Sequence, residues 1–301
     1  MNPPPISVIV PCYRQAGPLR SCLEGLASAR QGEGFETIVV DSGSEGTVAS
    51  AAARRPGVQV VSTPKRLWPG AARNLGVRAA QGELLLFLDA DCVPEPGWVR
   101  AGGAALEAGA RMAGGPVLDL IPHHPIAASD NLLQFAECPP GRPEGPAVRF
   151  PSCNFAIRRS DFDTLGGFAE DLRAGEDTCF SQAALSCWPQ GLRFVPAMRV
   201  RHLGRTTLRG FFAHQVWFGY SRGILGNDLT PVQRHLASHR FMLPAVVLKR
   251  LSYILGRTAA WHPRGFARAL GLSPLLLAGL CGYAVGLRRG LRGALEPGEP
   301  W

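Results

Sequence analysis

The chain has 301 residues, 46% of them hydrophobic and 18% charged, and carries a formal net charge of +9. That length holds one large domain with an appendage or two modest domains, and the apolar share excludes wholesale disorder. The positive balance asks for an anionic partner. No zinc-finger spacing, RNA-binding aromatic signature or long basic run marks nucleic acid, which leaves an anionic membrane surface or a phosphorylated substrate.

The opening MNPPPISVIVPCYR has prolines and no basic leader, so no signal peptide is expected. The short apolar run ISVIVP (6–11) reads as a buried parallel strand, and Leu19, Cys22, Leu23 and Leu26 follow at helical spacing. ETIVVD (36–41) is a second strand, and TVASAAARR (47–55) a helix closed by Pro56 and Gly57. VQVVS (58–62) is a third strand, GAARNLGVRAAQG (70–82) a helix, and ELLLFLDAD (83–91) a strand running into acidic residues. This alternation predicts a mostly parallel central sheet flanked by helices, an α/β fold. Residues 121–151, with seven prolines and little periodicity, read as a long loop. A mixed segment over 152–200 turns helical in its later half. Two apolar stretches follow, 241–256 and 269–287, the second nineteen residues without a charge and followed by Arg288, Arg289 and Arg292. They predict a helical, membrane-associated C-terminal extension over 231–301, lying on or crossing the bilayer, after a catalytic domain over 1–230. The eight cysteines, at 12, 22, 92, 138, 153, 179, 187 and 281, form no CxxC pair and read as reduced, mostly buried thiols of a cytosolic domain.

In parallel sheets of this kind ligands bind beyond the carboxyl ends of the strands, where Asp41 and Asp89 both fall. Asp89-Ala90-Asp91 ends a very hydrophobic strand, and two same-side carboxylates there can hold a hard cation that bridges nucleotide phosphates. The alternative is a solvated turn with Asp91 capping the next helix. Asp41, in VVDSGS, can accept from a base or ribose or close an Asx-turn. Arg73 and Asn74 open a helix, a natural place for a diphosphate contact. Glu176-Asp177 is a carboxylate pair before a helix, one of them a candidate general base for an acceptor hydroxyl, or else the pair caps that helix. His202 follows a strand-like run and is a ligand or a packed residue.

Taken together, ISVIVPCYR, VVDSGS, GAARNLGVRAAQGELLLFLDAD, SCNFAIRR, LGGFAEDLRAGEDTCF and RHLG resemble glycosyltransferase family 2, the inverting enzymes of GT-A fold, over residues 6–204. The resemblance implies that Pro11 and Asp41 line the donor base pocket and that Arg73 lies near the diphosphate. It puts Asp89 on the ribose or metal, Asp91 and His202 on a Mn2+ or Mg2+ ion, and makes Asp177 the base with Glu176 beside it. Asn154, Gly166 and Gly167 would shape the acceptor side. The donor would be a nucleoside-diphosphate sugar and the acceptor a glycan or lipid-linked hydroxyl, at the cytoplasmic face of the cell membrane. Where many relatives carry a second aspartate after the DGS-like turn, this chain reads SEGT with Glu45 in that place, so uridine, guanosine and thymidine donors stay open. A non-catalytic sugar-nucleotide scaffold and a nucleotidyltransferase are the other classes weighed. The carboxylates at 89, 91 and 177 argue against the first, and the lack of a glycine- and basic-rich phosphate loop against the second.

Overall fold

The computed structural model describes residues 6–30, 34–44, 46–52, 55–226 and 231–293. In chain order the elements are β1 (Ile6–Cys12), α1 (Ala16–Ala29), β2 (Phe35–Ser42), α2 (Thr47–Ala52), β3 (Val58–Thr63), α3 (Pro69–Ala79), β4 (Leu84–Leu88) and β5 (Cys92–Pro94). Next come α4 (Trp98–Glu107), β6 (Met112–Gly114), β7 (Val117–Asp119), α5 (Pro125–Gln134), β8 (Gly145–Pro146), β9 (Asn154–Arg158) and α6 (Arg159–Thr164). The chain ends with α7 (Glu176–Cys187), β10 (Leu192–Phe194), β11 (Val200–His202), α8 (Leu208–Leu225), α9 (Pro231–Ser238), α10 (Leu243–Trp261), α11 (Pro263–Gly271) and α12 (Ser273–Leu291).

The fold divides into two compact units, one of residues 1–118 and 140–202, the other of 119–139 and 203–301. In the first, an eight-stranded sheet runs β3-β2-β1-β4-β9-β6-β10-β8. The β1–β2, β2–β3, β1–β4 and β6–β10 pairings are parallel; β9 runs antiparallel to both its neighbours. A small second sheet has the order β5-β11-β7. The central strands are buried on both faces, as near-continuous Val, Ile and Leu runs require. Helix α3 approaches closely at Gly76, where any side chain would meet Ile9 and Val40. Beneath the carboxyl end of β4, Phe87 stacks on Phe155 at 4.6 Å, and Phe168 packs on Phe180 of α7 at the same centroid distance. This aromatic cluster fixes α7 against the strand that leads into Asp89.

The segment expected as a loop over 121–151 contains helix α5. Pro125 at its start needs no donor there, and the His124 side chain accepts from Ala127 N, so a helix begins where prolines suggested none. Helix α5 belongs to the second unit, whose core joins Leu133, Phe211, Val247, Ile254, Leu276, Leu280 and Ala284. Within the second unit α8 packs directly on α12. A Cβ on Gly219 or Gly223 would strike backbone oxygens of Tyr283 or Leu287, and one on Gly286 or Gly290 those of Val216 or Tyr220. The apolar run at 269–287 is broken at Leu272 between α11 and α12. No single described helix is long and apolar enough to cross a membrane; α11 and α12 meet that test only as a pair bent by 75°.

Candidate functional site

The parallel strands deliver their carboxyl ends to one edge, and the acidic residues collect there. Pro11 lies in β1 opposite Val40, one step before the pairing of Cys12 with Asp41. Asp41 is buried, and its Oδ1 accepts from Ser44 N at 3.1 Å, so the Asp-Ser-Gly-Ser segment is an Asx-turn. Gly43 takes φ +70 there, and a Cβ would press on the Arg66 backbone, so only glycine suits both demands. Glu45 lies outside the described residues.

Asp89, Ala90 and Asp91 form the turn from β4 to β5. Arg73, on the first turns of α3 and only 3% exposed, reaches two carboxylates at once. Its guanidinium donates to Asp89 Oδ1 at 2.5 Å and to Glu176 Oε1 at 2.7 Å. Burial opposes its charge, but Asp89 and then Glu176 outweigh that and hold its pKa up. Burial in turn pushes Glu176 up to about 7, against the pull of Arg73 and with Asp177 adding to the rise. Burial raises Asp89 as well, again opposed by Arg73. One buried guanidinium thus bridges acidic groups that lie 87 residues apart in sequence.

Asp91 lies across from β11. Its Oδ1 is 3.7 Å from His202 Nε2, and its Oδ2 accepts from Gln15 Nε2 at 3.4 Å. The ligand atoms of Asp91, Cys92 and His202 all lie within 4.8 Å of one another, because Cys92 and His202 are paired across β5 and β11. A carboxylate beside an imidazole fits a first-row ion such as Mn2+ better than Mg2+, which favours an all-oxygen shell. Cys92 is a residue the sequence reading passed over. Burial, with a hydrogen bond to Cys153, pushes its thiol up, so it stands beside Asp91 and His202 as a neutral group.

Glu176 and Asp177 open α7 after Gly175, which takes φ +86. Asp177 Oδ1 accepts from Thr178 N at 2.6 Å and Oδ2 from Ser152 N at 3.3 Å, which fixes the carboxylate while leaving it half-buried. Asn154, expected to shape the acceptor side, is buried and fully engaged: it accepts from Trp98 Nε1 at 2.8 Å and donates to Met198 O at 2.8 Å and Pro116 O at 3.1 Å. Gly166 and Gly167 both take φ +77. The loop after them is pinned by Asn74, which accepts from Phe168 N and donates to Phe168 O, both at 2.9 Å.

Around this rim stand arginines on aromatic rings. Arg66 lies 4.3 Å from the Tyr13 centroid and 4.9 Å from Trp68, and Arg173 lies 4.4 Å from Trp68 on another loop. All four are half-buried. The sequence reading missed this array; the only signal was arginine and aromatic residues in segments that follow β1 and β3.

Residues 7–165, more than half the chain, match the family model described as Glycosyl transferase family 2. The chain belongs to this family. The family 2 match stops short of Glu176, Asp177 and His202. Among curated relatives, the chain is 27% identical over 265 residues to a pre-mycofactocin glycosyltransferase of Mycobacterium tuberculosis, covering 85% of this chain and 54% of that protein. It is 27% identical over 191 residues to glycosyltransferase AglE of Haloferax volcanii, covering 60% and 61%. This family 2 chain thus spans about half to three fifths of those relatives' lengths. Its fold is that of a mannosyltransferase from Pyrobaculum calidifontis solved with GDP-Man and Mn2+, at a TM-score of 0.57 and 20% identity, covering 97% of this chain and 88% of the other. GalNAc-T7, solved with UDP, GalNAc and Mn2+, superposes at 0.52 with 17% identity over 76% of this chain and 52% of its own. The architecture is therefore α/β of GT-A type.

Proposed function

We propose that this family 2 chain transfers a sugar, with inversion, from a nucleoside-diphosphate sugar to the hydroxyl of a glycan or lipid-linked acceptor, with a divalent metal at Asp91 and His202. One observation carries the reading: a fixed, half-buried carboxylate, Asp177, stands next to a Glu176–Arg73–Asp89 chain, buried at Glu176 and Arg73, that leads to the Asp91–His202 pair. A base and a cation site on one rim are what sugar transfer from a diphosphate needs.

Asp177, oriented by two backbone donors, takes the proton of the acceptor hydroxyl as that oxygen attacks the anomeric carbon from the face opposite the diphosphate. Arg73, with both terminal nitrogens held by carboxylates, sets the positions of Asp89 and Glu176. Arg66 and Arg173 supply the guanidiniums at the rim for the diphosphate. Pro11 and Asp41 line the base pocket, with Asp89 beside the ribose. When bound, the metal would neutralise charge building on the leaving diphosphate. The GDP-Man and UDP seen in the two solved neighbours support a donor of this class and leave its base open. The basic, apolar second unit supports a place at the cytoplasmic face of the cell membrane, with an acceptor of the cell envelope.

The test is a thermal-shift screen of nucleotide sugars with and without Mn2+. A donor at a hundredfold excess over its dissociation constant stabilises the folded chain by about 2.7 kcal/mol. A metal-dependent shift lost in Asp91→Ala, followed by release of nucleoside diphosphate with acceptor, supports the reading. Release of pyrophosphate, or no shift with any donor in folded protein, sinks it.

A further inference from the structure

Helix α12 has two apolar sides. Its inward side, with Leu276, Leu280, Tyr283, Ala284 and Leu287, is buried within the second unit. Its outward side exposes Pro274, Leu277, Ala278, Cys281 and Val285, and no charged residue occurs between 273 and 287. A helix that faces water carries charge on its outer stripe, and one apolar all round is covered by something. Helix α10 exposes Ala245, Leu248, Ser252 and Gly256 along one stripe with Lys249 exposed at its edge, preceded by Phe241 at 79% exposure. The charges are sorted by sign as well. Residues 231–293 hold ten Lys and Arg and not one Asp or Glu, and Arg288, Arg289 and Arg292 cluster at the end of α12.

We infer that the outward face of α12 seats on an anionic lipid bilayer, lying in the interface, with Arg288 and Arg289 on the lipid phosphates. The inference rests on the membrane-surface reading above and deepens it by naming the face, the lipid charge and the mode. An apolar stripe enters the headgroup–acyl boundary by a few ångströms, and the flanking cations meet the negative surface potential. The cations of 231–293, with no acid among them, choose lipid over a second copy of this chain, since two such segments brought together repel one another. Crossing is disfavoured because no single described helix is long and apolar enough to span, and α11 with α12 meets that test only as a pair bent by 75°.

The experiment floats the full chain with vesicles of neutral phosphatidylcholine alone and of phosphatidylcholine with a quarter phosphatidylglycerol. Binding is expected to the anionic vesicles only and to weaken between low and high salt. Each arginine lost lowers the partition by about fivefold, so Arg288→Gln with Arg289→Gln lowers it about twenty-five-fold. Leu277→Glu with Val285→Glu abolishes flotation while circular dichroism melting stays as in the parent chain. No flotation with anionic vesicles overturns the inference, as does flotation indifferent to both pairs of substitutions. Equal binding to neutral vesicles overturns the anionic seat and leaves a membrane location standing. A parent dimer that Leu277→Glu with Val285→Glu converts to monomer, without flotation, assigns the face to a second copy. Donor-dependent thermal shift on the same preparations reads the transferase proposal separately.

Discussion

Replacing Arg73 by methionine keeps much of the side-chain volume and removes both charge-assisted hydrogen bonds that tie the acidic turn to α7. Breaking a buried ion pair by removing one partner costs about 3–5 kcal/mol, because the remaining charge stays buried and unpaired. Two features set the expectation at the low end. The Asp89 side chain is 31% exposed, so water recovers part of its solvation. Glu176, already up at about 7, sheds its charge readily near neutral pH. The loss is therefore about 3 kcal/mol at pH 7.5, shrinking to about 1 kcal/mol at pH 5, where both carboxylates take up protons more easily. Urea unfolding of Arg73→Met at the two pH values reads this directly. Glu176→Gln and the double variant complete the cycle, with a coupling of at least about 1 kcal/mol expected at pH 7.5. A loss under about 1 kcal/mol at pH 7.5, or singles that add within about 0.5 kcal/mol, would refute the idea that this guanidinium joins the two acidic segments.

Three other outcomes follow from the same geometry. Asp177→Asn lowers turnover by about two to four powers of ten while donor binding stays within severalfold, checked by steady-state rates beside calorimetry. His202→Ala weakens Mn2+-dependent donor binding and leaves metal-free binding unchanged, measured by titration with and without the ion. Glu176 makes stability depend on pH: its folded value of about 7 lies above the ordinary 4.5, so the native state holds the extra proton between them. Its contribution is full below about 4.5 and is lost as pH rises toward 7, about 3 kcal/mol in all; Glu176→Gln flattens that slope in urea midpoints at pH 5 and 7.5.

The strands were legible because each is a buried run bounded by turn residues, and their parallel order put Asp41 and Asp89 on one edge before any coordinates. The family resemblance named Asp91 and His202 together, and pairing of β5 with β11 is what brings them within 3.7 Å. Burial of Arg73 was not legible, since an arginine on a helix is ordinarily solvated and only the fold brings Glu176 to it. The partners of Asn154 were not legible for a related reason: only the fold brings Trp98 and the carbonyls of Pro116 and Met198 to its amide. Helix α5 hid behind prolines that break helices in their interiors and start them at their ends.

The bridge through Arg73 also implies a coupling between the halves of the site. Asp89 sits on the turn that carries Asp91, and Glu176 sits beside Asp177 on α7, so the guanidinium links the turn that would hold metal and donor to the helix that would carry the base. The stacked phenylalanines beneath give the same two elements an apolar connection, so neither can shift far alone. Negative charge arriving with a diphosphate near Asp89 competes for Arg73, and any loosening of that contact is felt at Glu176, whose protonation is poised near neutrality. Donor binding should therefore change the apparent pKa of Glu176, and by linkage the protonation of Glu176 changes donor affinity by the same factor. Mn2+-independent binding of a nucleoside diphosphate, followed from pH 5 to 8, would display it as proton uptake or release that vanishes in Glu176→Gln; an identical proton balance in both chains would mean that the halves titrate independently.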